Sequence, residues 1–163
     1  MDDESRETLA DTLVIYKVNG GVNLALEMIE SNHQYLLDNF SKELAGSTAD
    51  LIEYLDIRWG YNTSSYMYLI EQARTLKLKL LAIDLSKNLW PAETTIFPVL
   101  PDISKVRAAR EAHMAKILCV QKDIKTLVLV GSFHSKKRFL PKALRAECEL
   151  ESESFSLREI SLL

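Results

Sequence analysis

Cysteine is scarce in this chain, with two residues in 163, Cys119 and Cys148. They lie far apart and without metal-site spacing, which excludes a zinc ribbon or knuckle and predicts two free, buried thiols. Free thiols slightly favour a reducing, cytoplasmic setting. Proline is rarer than average at four residues, and three of these fall at Pro91, Pro98 and Pro101. They confine irregular chain to one stretch, from about residue 86 to 101. No apolar run approaches the roughly 20 residues needed to span a bilayer. The acidic opening MDDESRETL is unlike a secretory signal. No charge of one sign dominates: the net charge is -3, which gives no reason to expect nucleic acid or an anionic membrane as partner. There is no GxSxG elbow, phosphate loop, dinucleotide fingerprint or HExxH pair, so nucleophilic hydrolysis has no internal support.

What is present is the mix of a globular protein, 47% hydrophobic and 26% charged. The length suits one domain, residues 1–163. Leu9, Leu13 and Tyr16 recur at helical spacing over 4–18, and Asn19-Gly20-Gly21 ends that helix. VNLALE (22–27) reads as a short buried strand. An amphipathic helix is expected over 30–45 through Tyr35, Leu36, Phe40 and Leu44. Ser47 or Thr48 can cap a shorter helix ending near Asp56, RWGYN is a loop, and 63–76 is helical. KLLAID (79–84) is a second strand, 102–121 a long helix, and 126–131 a third strand. RAECELE and FSLREISLL read as a closing β pair. Helices alternating with apolar strands predict an α/β fold: a largely parallel central sheet, helices on both faces, and the C-terminal pair beside it. The chain opens on a helix, whereas such sheets usually open on a strand.

Three strand ends carry polar side chains. The apolar run LVLVGSFHSKK breaks at Gly131 and delivers His134. Open α/β sheets bind ligands outside the carboxyl ends of their strands, so His134 is a candidate ligand, acid or base, or else a hydrogen-bonded surface residue. Glu27 ends the first strand and Asp84 the second. Glu27 could instead serve the dipole of the following helix, and Asp84 could cap a turn. In VRAAREAHMAKIL, Arg110 shares a helix face with Met114 and with His113. Glu27, Arg110 and His134 are expected in one cleft, with the guanidinium neutralising the carboxylate. Glu27 and His134 together could hold a divalent metal. Trp59, Tyr61 and Tyr66 form an aromatic cluster that either packs or presents a flat surface to a porphyrin. Lys136, Lys137 and Arg138 form a short basic run, a solvated loop that could draw an anionic ligand.

Four segments taken in order carry a family resemblance: LALEMIESNHQYLLDNF, RWGYNTSSYMYLIEQARTLKLKLLAIDL, REAHMAKIL and LVLVGSFHSKK. Together they resemble the ChaN-like haem-binding-uptake family of the Tiki, TraB and erythromycin-esterase superfamily. Glu27 matches that family's acidic strand end, Arg110 and Met114 its helix motif, and Gly131 with His134 its last Gly-x-x-His. The family's opening Gly-Glu-x-His strand has no counterpart here, so the N-terminal strand is expected to be missing and the domain truncated. The resemblance implies haem binding in iron uptake, without catalysis in this form. Its alternative is a metal-dependent hydrolase, a Tiki-like peptidase or an esterase, completed by the missing motif. A missing strand would leave an unpaired sheet edge. Self-association through the segment around Val22 to Glu27 is therefore expected.

Overall fold

A computed structural model describes residues 3–60, 63–90, 94 and 104–154. Its organising element is β1 (Asn23–Glu30), all eight residues of which are buried. β2 (Lys79–Asp84) pairs with one side of β1 and β3 (Thr126–Leu129) with the other, both parallel, so the sheet order is β2-β1-β3. A strand with neighbours on both edges and helices on both faces needs an almost unbroken apolar run, as LALEMI provides.

Alternation along β1 sorts the two cores. Leu24, Leu26 and Met28 point to one face, with Leu80 and Ala82 of β2. That face is covered by α1 (Asp3–Val18), α2 (Gln34–Ser41), α3 (Ser47–Trp59) and α4 (Thr63–Thr75), through Leu13, Phe40, Leu55 and Ile70 among others. Ala25 points to the opposite face with Leu81 and Ile83. There it meets Met114 and Leu118 of α5 (Ser104–Cys119) and Leu140 and Leu144 of α6 (Leu140–Cys148). Glu27, two residues beyond Ala25, carries the same parity and reaches the α5 side. The α/β class, the parallel sheet and helices on both faces therefore hold.

Four expectations are corrected. RAECELE is not a strand: Arg145–Cys148 form the last turn of α6. Leu140 and Leu144, four apart and both buried, set a helical period that outweighs the local alternation. FSLREISLL lies outside the described residues. The cysteines are not free thiols, because α6 brings Cys148 to Cys119, 5.9 Å between Cα atoms, in a disulfide; the thiol argument for a reducing compartment falls with it. The helix expected over 30–45 is shorter, since β1 runs on to Glu30 and a 3-10 turn (Ser31–His33) precedes α2. Tyr35 and Leu44 are exposed in consequence. Finally, Val22 to Glu27 does not lie at an open edge. β1 is the central strand, hydrogen-bonded on both sides, so it offers no unpaired edge to a second copy.

Candidate ligand site at the strand ends

Four acidic side chains converge at the carboxyl ends of the strands: Glu27 and Glu30 of β1, Asp84 of β2 and Glu111 of α5, each no more than 9% exposed. Burying carboxylates is costly unless they are paired, and two arginines from opposite faces of the sheet supply the pairing. Arg110 of α5 donates from Nε to Asp84 Oδ1 and from Nη2 to Glu27 Oε1, both at 2.7 Å. Arg58, in the last turn of α3, donates to Asp84 Oδ2 at 2.7 Å and lies 3.2 Å from Glu30 Oε1. Asp84 thus holds the two cations together, and its Oδ1 also accepts the Leu85 N–H at 2.9 Å. The second oxygen of Glu27 accepts the Gly131 N–H at 2.5 Å.

After Gly131 the chain turns back, with the His134 N–H bonded to the Gly131 carbonyl at 2.9 Å. That turn inserts the imidazole between two carboxylates, Nε2 at 3.4 Å from Glu27 Oε1 and Nδ1 at 3.4 Å from Glu111 Oε1. The Nδ1 contact is within ion-pair range but too poorly aligned for a hydrogen bond, so Nδ1 and Glu111 Oε1 are both buried without one. Four carboxylates meet two guanidiniums here, and Arg107 adds a positive charge near Glu111. Burial pushes the Glu111 carboxyl up, opposed by His134. Burial alone would lower the Arg110 pKa, but its bonds to Asp84 and Glu27 outweigh this and raise it. On the far rim, the Tyr54 phenol accepts the Glu30 N–H at 3.0 Å and is pushed up to about 12, chiefly by burial.

An aromatic layer covers the arginines. The Arg58 guanidinium lies 5.2 Å from the Trp59 ring and 6.0 Å from Trp90, and Arg110 lies 5.6 Å from Trp90. Trp59 is anchored by its indole N–H to the Met28 carbonyl at 2.9 Å and meets Tyr66 edge-on at 6.2 Å. Both half-buried rings pack on the core of the α1–α4 face. Tyr61 lies outside the described residues.

The structure therefore brings Glu27, Arg110, Gly131 and His134 into one cluster, and sets Trp59 beside Arg58 with Tyr66 against Trp59. Sequence reasoning missed Arg58, Glu30, Glu111 and Trp90. Two acidic strand ends, Glu27 and Asp84, with one arginine assigned to them called for a second counter-charge, and that was the available signal. His113, left without a role, bonds through Nε2 to Ser31 Oγ at 2.7 Å. Burial holds its pKa below the usual histidine value. For the divalent metal expected on Glu27 and His134, the described residues contain no group of three or more His, Cys, Asp or Glu side chains placed to hold one.

A family model described as haem-binding uptake, Tiki superfamily, ChaN matches residues 3–92, more than half of the chain. The chain belongs to this family. The match runs from α1 through β2 to the turn that carries Trp90, and so includes Glu27, Glu30, Arg58 and Asp84 of the ChaN-like cluster. Arg110, Gly131 and His134 lie beyond it and join the cluster by geometry alone. No match to the chain was found among curated proteins or among solved structures.

Proposed function

We propose that this ChaN-like chain binds haem at the carboxyl ends of its strands and takes part in haem or iron uptake without catalysing a reaction. Residues 1–163 act in this reading as one domain, supported by the two cores that share β1. The family description supports haem as the ligand. The observation at residue level that carries the reading is His134 Nδ1, an imidazole nitrogen at the strand ends that lies 3.4 Å from Glu111 Oε1 without an aligned hydrogen bond. Haem, when bound, supplies an iron that accepts an imidazole ligand. Arg110 keeps Glu27 in place as the partner of Nε2. Trp59 and Tyr66 are proposed as apolar contacts for the macrocycle, and Tyr61 keeps the place given to it by the sequence.

A hydrolase would need Glu27 or His134 to face a water molecule or a metal. Instead Arg110 and Gly131 engage both Glu27 oxygens, which speaks against Glu27 as a general base. Titration of the chain with ferric haem is expected to give a saturable Soret shift, and His134→Ala to move the band or abolish saturation. No saturable shift would overturn haem binding. A His134→Ala variant with the unaltered spectrum would remove His134 as the ligand.

A further inference from the structure

On the outer side of the same face, α5 and α6 flank an open cleft of about 450 Å³. Arg107 and Glu111 line it from α5, and Arg138, Phe139 and Lys142 from the beginning of α6, with alanines of both helices between them. Three cations thus face one cleft. Among the described residues none of the three is in an ion pair with a carboxylate.

Their placement is opposite to what helix electrostatics prefers. A helix N-terminus carries partial positive charge and is stabilised by acids, not bases. Neither α5 nor α6 has an acid in its first turn. Arg107 lies in the opening turn of α5, while Arg138 and Lys142 flank the start of α6. The guanidiniums are positioned rather than loose: Arg107 sits 5.1 Å from both the Phe133 and Phe139 rings, and Arg138 4.8 Å from Phe139. Aromatic faces orient a cation but leave its charge and most of its N–H donors available. Glu111, 7% exposed, is the sole carboxylate among the lining residues, and its Oε1 makes no hydrogen bond. Its single charge against three cations leaves the cleft net positive.

We propose that this cleft binds a small oxyanion-bearing ligand, its phosphate or carboxylate head held by Arg107, Arg138 and Lys142 and its apolar body resting on Phe139 and the alanines. The site adjoins the Glu27–His134 cluster through Glu111, which lines the cleft and faces His134.

The test is a ¹H–¹⁵N NMR titration of the full chain at low ionic strength, where screening of surface charge is weakest. Inorganic phosphate is used in one arm and succinate in another. Saturable shifts are expected at the amides of Ala108, Lys142 and Ala143, and the arm with the tighter midpoint identifies the head group. Arg138 and Lys142 are exposed, so Arg138→Gln with Lys142→Gln leaves the core intact. The double variant should bind about a hundredfold more weakly, roughly tenfold for each charge-assisted hydrogen bond removed. Lys79→Gln, exposed at the start of β2, should bind unchanged. Shifts that fail to saturate with either probe, or that are the same in the double variant, would overturn the site.

Discussion

Arg110 does at residue scale what no single apolar side chain could. Its planar fork satisfies Asp84 through Nε and Glu27 through Nη2, joining two strands that are neighbours in the sheet but 57 residues apart in sequence. Pairing of this kind contributes little net stability over a well-packed apolar core, yet removing one partner strands the others as buried, uncompensated charges. Arg110→Ala is therefore expected to cost about 3 to 5 kcal/mol at neutral pH, read from the denaturant midpoint. Part of the loss should return on acidification, because protonating the stranded carboxylates relieves them. Arg110→Lys keeps the charge but not the fork, so it should fall between the two. A stability loss no greater than that of an exposed substitution would mean that water, not Arg110, solvates Glu27 and Asp84. The residue scale is also where the sequence was most readable. Polar residues ending apolar runs marked Glu27, Asp84 and His134, and helical spacing marked Arg110. Arg58 was hidden because RWGYN looks like a loop, whereas α3 runs through Trp59 and stops at Gly60, whose φ is 66°. A residue read as loop has no defined face, and no buried partner can be assigned to it.

At the scale of elements, strands were easier to place than the helices after them. β2 falls on the expected residues because a short apolar run between turn signals has one reading. β1 outran its expected end because Glu27 looked like a terminus, and only the pairing of Glu30 with Asp84 shows the strand continuing. α6 was missed for a different reason. Its nine residues include Pro141 near the start and acidic and basic residues alternating with apolar ones, a pattern that fits either period over so short a length. Tertiary packing decides it, since Leu140 and Leu144 bury against α5, and the Cys119–Cys148 bond fixes the far end. That bond closes a loop with a sequence separation of 29 residues, for which the chain-entropy account gives about 3 to 4 kcal/mol. Cys148→Ser should lower stability by up to that amount and loosen α6 first. Faster hydrogen exchange in Ala143–Ala146 than in β1 would show it. Alkylation of the unreduced, unfolded chain should find no thiol; two alkylated cysteines would show that the bond is absent in the protein as made.

At the scale of the whole molecule, pH dependence gathers groups from every layer. Burial holds His113 below its ordinary value of 6.5, so the unfolded chain takes up this proton first as pH falls. The stability contributed by neutral His113 is full above 6.5 and is lost as pH drops through the lower folded value. Glu111 has the opposite sign. Its raised value means that stability is full below 4.5 and declines as pH rises through the folded value. Tyr16 and Tyr54 act at the other end. Burial raises both above 10.0, Tyr54 to about 12, so their contribution is full below 10.0 and is lost as pH rises toward 12. The melting temperature should accordingly be near its highest between about 7 and 10 and fall on either side. Two substitutions separate the limbs. His113→Gln keeps a polar partner for Ser31 but cannot be protonated, so it should flatten the acid limb and leave the alkaline limb as it was. Tyr54→Phe removes the acceptor of the Glu30 N–H, at about 1 kcal/mol across the range, and should flatten the alkaline limb alone. Spectrophotometric titration of the phenols supplies the independent check, since the step lost in Tyr54→Phe must be the one near 12. An acid limb unchanged in His113→Gln would show that His113 does not set it.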